Sequence, residues 1–138
     1  ELSEKTYELT QFLVDVLKVE GLDPGVSGTC TYHDACSGFR ELGIWEQPRE
    51  LLSSAPQLKL QEMTNSTECC GFGGTFAVSE DAVSVMMGED RLRDHLEAGT
   101  EVLTAGDVSC LMHLEGIIKR HKYPIEVMHV SEILAGGA

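Results

Sequence analysis

A chain of 138 residues, 42% hydrophobic and 24% charged, is long enough to bury a core without disulfide staples and too apolar to be disordered. Its net charge of −13, with 10 Lys and Arg scattered among 23 Asp and Glu, argues against nucleic-acid phosphate as a partner, because no basic stripe supplies counter-charge. No run approaches the roughly 18 apolar residues of a membrane span, and the start ELSEKTYEL lacks both the basic and the apolar part of a signal peptide, so a cytoplasmic protein is expected.

Leu9, Phe12, Leu13, Val16 and Leu17 recur at helical spacing, which predicts a leading amphipathic helix within residues 1–20. Gly21 and the Asp23-Pro24-Gly25 turn end it. Val26 to Tyr32 reads as a first strand, followed by the polar loop HDACSG. A helix is expected from about Glu46 to Ser54, with Pro48 in its first turn, and then a second strand from Leu58 to Met63. The stretch ECCGFGGT (68–75) follows as a loop.

Ser79 is the expected N-cap of the next helix, with Glu80 and Asp81 at its positive end. Val83, Met86, Met87, Leu92 and Leu96 carry that helix to Gly99, with Gly88 as a candidate break. Val102 to Ala105 is a third strand ending at Gly106-Asp107, and Ser109 to His121 a helix with Leu111, Leu114 and Ile118 on one face. Ile125 to Val130, after Pro124, is a fourth strand, and a short helix closes the chain. Strands alternating with helices predict an α/β fold: a small three-layer domain, 1–138, with a four-stranded parallel sheet flanked by helices.

Five cysteines, an odd number in a chain without secretory features, favour free thiols or metal ligands over disulfides. Cys36 follows the first strand, Cys69 and Cys70 the second, and Cys110 the third, so all four fall at strand C-terminal ends. In an open parallel sheet those ends share one edge, outside which ligands bind. Thiolates are soft donors suited to iron–sulfur groups, and Gly71, Gly73 and Gly74 allow backbone N–H groups to approach the sulfurs. Cys110 opens a helix, whose positive end favours the thiolate, and His113 lies three residues on, along the same side.

A lone cysteine is more often a packed apolar residue than a ligand, and that is the reading for Cys30, inside the first strand. Four cysteines on one edge, two of them beside glycines, are hard to obtain from packing alone. His33 and Asp34 suit a general acid with its orienting carboxylate, or groups steadying the Cys36 loop; Asp34 as a simple turn cap is an equal alternative. His95, His121 and His129 have no partner at ligand spacing and read as surface or satisfied core histidines.

TYHDAC, ECCGFGGTF and AGDVSCLMH together resemble the CCG-type cysteine-rich domain that recurs in heterodisulfide reductase, in the glycolate oxidase iron–sulfur subunit and in lactate utilisation protein A. KTYELTQFLVDVL, QPRELL and VMHVSEILAG extend the resemblance over nearly the whole chain, most closely to the C-terminal half of the lactate utilisation branch. The family pattern is a cysteine, a gap, CCG, a gap and CxxC; here residues 37–68 separate Cys36 from Cys69, and 71–109 separate Cys70 from Cys110. His113, in CLMH, stands where the family has its final cysteine.

The resemblance implies a [4Fe-4S] cluster held by Cys36, Cys69, Cys70 and Cys110, with Gly71 and Gly73 beside it and His113 as a further metal ligand. It implies electron transfer in the oxidation of L-lactate to pyruvate, or of a related 2-hydroxy acid, as an oxidoreductase subunit that is not catalytically complete alone. Its partners would be other iron–sulfur subunits of a lactate or glycolate oxidation complex and an N-terminal half of the same chain, in the cytoplasm or peripheral to the inner membrane face. Two alternatives remain: a structural zinc site on the same cysteines, and a thiol/disulfide redox domain like that of heterodisulfide reductase. The lack of a C-x-x-C motif counts against a thiol–disulfide oxidoreductase.

Overall fold

The computed structural model describes residues 1–136. Strands β1 (Gly28–His33), β2 (Leu58–Leu60), β3 (Val102–Ala105) and β4 (Glu126–His129) form one sheet in the order β2-β1-β3-β4. Every neighbouring pair is parallel, with His33 opposite Ala105 and Ala105 opposite His129. The helices are α1 (Leu9–Gln11), α2 (Glu46–Ser53), α3 (Phe76–Ser79), α4 (Asp81–Glu97), α5 (Val108–His121) and α6 (Val130–Leu134). The four-stranded parallel α/β domain expected from the alternation is the fold found.

Side chains alternate across each strand, and the sheet therefore feeds two cores. Leu103 and Ala105 pack with Leu92 of α4 and Leu111, Leu114 and Ile118 of α5. Cys30, Tyr32 and Val102 pack with Leu52 of α2 and Val130 and Ile133 of α6. All of β3 is buried, as a central strand covered on both faces must be. The chain leaves β1 towards β2 on one side, while β3 lies on the other, so the carboxyl ends of β1 and β3 border the topological switch point.

Several boundaries differ from expectation. The leading helix is a short α-helical stretch that widens into a π-helical turn, Phe12–Val16. The extra residue per turn rotates the apolar stripe, and Leu9, Phe12, Val16 and Leu17 stay exposed. β1 starts at Gly28 and runs through His33, and β2 stops at Leu60. Ser79 closes α3 and does not cap α4, since Glu80 breaks between them with φ −126° and ψ 48°. Gly88 is no break: α4 passes through it, and a Cβ there would lie 2.4 Å from Ile117 Cδ1 and 3.3 Å from the Cys70 carbonyl. Glycine lets α4 approach both α5 and the Cys70 loop.

Candidate metal centre

The C-terminal edge of the sheet assembles the thiols. One ligand atom each from His33, Cys70 and Cys110 lies within 4.8 Å of the others, all three residues being buried. Beside them the half-buried Cys36 thiol contacts Cys69, also half-buried, and Cys36 is close enough to Cys70 and Cys110 for their charges to repel. Cys30 stays apart: it is wholly buried in the α2–α6 core, and burial pushes its thiol up to about 12, which makes it inert.

Local structure explains the loop. Gly71 adopts φ +89°, and a Cβ there would lie 2.6 Å from both Met87 Cβ and the Ser84 carbonyl, so the third residue of CCG has to be glycine. Ser84 Oγ donates to the Gly71 carbonyl at 2.7 Å and locks the turn to α4. The Gly71 N–H points at Cys69 Sγ (3.4 Å) and the Phe72 N–H at Cys70 Sγ (3.5 Å). These two amides, and not those of Gly73 or Gly74, approach sulfur; Gly73 and Gly74 instead offer carbonyls that start the turn into α3. Cys110 sits in the first turn of α5, capped by Asp107 Oδ1, which accepts from the N–H groups of Ser109 (2.8 Å) and Cys110 (3.3 Å).

The electrostatics are asymmetric. Cys70 is held well below the usual thiol range, first because Cys110 donates to its sulfur, with support from His33 and the Phe72 N–H against the opposing effect of burial. Cys110 is pushed up by the same contact and by burial. The contact thus favours the thiolate on Cys70 over one on Cys110. Cys36 is also raised, first by burial and then by its contact with Cys69.

His33 and Asp34 diverge. Asp34 turns away from His33 into a bidentate pair with Arg49 (2.9 and 2.7 Å), whose guanidinium lies 3.5 Å over the Trp45 ring and also binds Glu62. It is therefore neither the orienting carboxylate of His33 nor a turn cap; its pairing steadies the chain entering the Cys36 turn. His33 Nδ1 instead accepts from Arg91 Nε at 3.1 Å, and its Nε2 is buried without a partner.

Arg91, fully buried on α4, was not singled out by sequence reasoning. Its remaining N–H groups hold the carbonyls of Asn65 and Ser66 and the Asp94 carboxylate, which itself accepts from the Thr64 and Asn65 amides. A signal existed: Ser84, Gly88, Arg91 and His95 recur at helical spacing as a polar stripe on one face of α4.

His113 is not in the group. Its Nε2 meets the Ser84 carbonyl at 3.2 Å, and its ring lies 6.1 Å from that of Phe72. His95 is a core residue bound to Thr31 Oγ1 at 2.7 Å, His129 caps α6, and His121 pairs with Glu89 at the surface. The donors present suit a thiolate-held metal group: four sulfurs on one edge, amides directed at two of them, and an orphaned imidazole nitrogen beside the buried pair.

The proteins this chain resembles agree with that donor set. It is 43% identical over 133 residues to lactate utilization protein A of a Geobacillus species, covering 96% of this chain and 56% of that protein. Identity is 44% with the protein of that name from Geobacillus kaustophilus and 43% with that from Halalkalibacterium halodurans. The chain spans about half the length of these relatives. Residues 30–115, which include His33, all four clustered cysteines and Arg91, match the family described as the CCG cysteine-rich domain, and the chain belongs to that family.

Proposed function

We propose that this domain holds a [4Fe-4S] cluster through Cys36, Cys69, Cys70 and Cys110 and carries electrons in the oxidation of L-lactate or a related 2-hydroxy acid. The observation that carries the reading is the convergence of four thiols on one sheet edge at the switch point, supported by the lactate utilization name that its relatives bear. A cluster bound there supplies a one-electron redox centre. The polypeptide's part is to present sulfurs, direct the Gly71 and Phe72 amides at them, and shield Cys70 and Cys110 from water.

The surroundings favour electron passage over binding of the hydroxy acid itself. Glu8 and Asp107, neither of them paired with a cation among the described residues, line a cavity of about 90 Å³ beside the Cys36 turn and disfavour a carboxylate there. Arg49 and Arg91 already hold carboxylates. Lactate would therefore meet its binding groups elsewhere, on a second domain of the same chain or on other iron–sulfur subunits, with this domain as the C-terminal of the two. No described helix is long and apolar enough to cross a membrane; a cytoplasmic site of action goes with this proposal.

The test is anaerobic purification of the full-length protein, with iron, sulfide and zinc analysis. Brown protein whose visible absorbance bleaches on addition of L-lactate with partner subunits supports the proposal. Colourless protein with one zinc would move the site to the structural zinc reading on the same cysteines.

A further inference from the structure

We infer that His33 serves the thiol centre as a hydrogen-bond donor through Nε2–H, not as a ligand, and that Arg91 is the positioning residue that sets this tautomer. The inference deepens the proposed cluster site and rests on it for its redox consequence; the tautomer is a property of the polypeptide alone.

Arginine has N–H donors and no acceptor, so the Arg91 Nε contact at 3.1 Å requires a lone pair on His33 Nδ1. A neutral imidazole has one proton, and it is then on Nε2. That nitrogen is buried without a partner; a ring nitrogen of His33 lies within 4.8 Å of the Cys70 and Cys110 sulfurs, and with Nδ1 held by Arg91 it is Nε2 that is free to face them. A metal ligand at Nε2 would need the lone pair there and the proton on Nδ1, facing the Arg91 N–H donor to donor.

Arg91 has no room to yield. It is fully buried, and its other N–H groups are engaged by Asp94 and by the Asn65 and Ser66 carbonyls, which hold the loop leading to Cys69. The same guanidinium thus fixes the loop that carries two thiols and the orientation of the imidazole above them. A donor aimed at cluster sulfur stabilises the more negative, reduced state and raises its potential.

Two measurements test this. In reduced, metal-free protein labelled with ¹⁵N-histidine, long-range ¹H–¹⁵N correlation should show His33 with an unprotonated Nδ1 and a protonated Nε2; the opposite tautomer overturns the inference. In reconstituted protein, His33→Leu should keep its iron and show a lower midpoint potential, with His33→Gln, which retains an N–H donor, between the two. Loss of iron in His33→Leu, or strong nitrogen hyperfine coupling to the cluster in the parent, overturns it as well. If no cluster forms in any variant, the proposed function fails while the tautomer measurement still decides the role of His33.

Discussion

Two arginines flank the thiol edge, Arg91 fully buried and Arg49 half-buried, and they are used differently. Arg49 binds two carboxylates, Asp34 and Glu62, and lies over Trp45, so each of its charged contacts is answered by opposite charge. Arg91 binds one carboxylate, Asp94, and gives its Nε–H to an imidazole and its other donors to loop carbonyls. The first arrangement fastens a turn. The second fastens a loop and also dictates which nitrogen faces sulfur.

Replacing each arginine separates these roles. Arg91→Met takes the buried cation from Asp94, which keeps the Thr64 and Asn65 amides, and orphans the Asn65 and Ser66 carbonyls; about 3–5 kcal/mol is expected, read as a lowered urea midpoint, together with loss of metal binding. Gly71→Ala combines a positive φ with a 2.6 Å collision; about 2–4 kcal/mol is expected from strain and overpacking, again with loss of metal. Arg49→Met strands the wholly buried Asp34 carboxylate and should cost about 3 kcal/mol, with little added by Glu62, which is half exposed and keeps its water. Its metal content should match the parent, and equal metal loss in Arg49→Met and Arg91→Met would erase the distinction.

The smallest effect belongs to the α5 cap. Burial opposes ionisation of Asp107, yet the hydroxyl of Ser109 and the N–H groups of Cys110 and Ser109 outweigh it and lower its pKa. A depressed folded value means that the cap stabilises the fold above the ordinary carboxylate range and loses that contribution as pH falls through the folded value. Asp107→Ala should therefore cost about 1 kcal/mol near neutrality, and the stability gap to the parent should close in acid.

The sheet was readable because its strands and helices obey different periods, and the thiol edge because topology alone sends Cys36, Cys69, Cys70 and Cys110 to the same ends. What was hidden depends on contacts between distant residues. His33 and Asp34 are adjacent and look like one acid–carboxylate unit, but His33 ends β1 and Asp34 lies just beyond it, and each finds its own arginine. Their partners, Arg91 and Arg49, are chosen by packing across the sheet, which no local pattern records. Gly88 looked like a helix defect for the same reason, because Ile117 and the Cys70 carbonyl that press on it lie on other elements. His113 shares a helix side with Cys110, yet the closeness of α4 delivers it to the Ser84 carbonyl.

The central claim is that four thiols act as one centre while Cys30 stands apart. Iron and acid-labile sulfide should be measured after anaerobic reconstitution of the parent and of single alanine variants at Cys30, Cys36, Cys69, Cys70 and Cys110. The account predicts about four irons per chain in the parent, the same in Cys30→Ala, and a marked loss in each of the other four. Unchanged iron content and spectrum in Cys69→Ala or Cys70→Ala, or iron loss confined to Cys30→Ala, would contradict it.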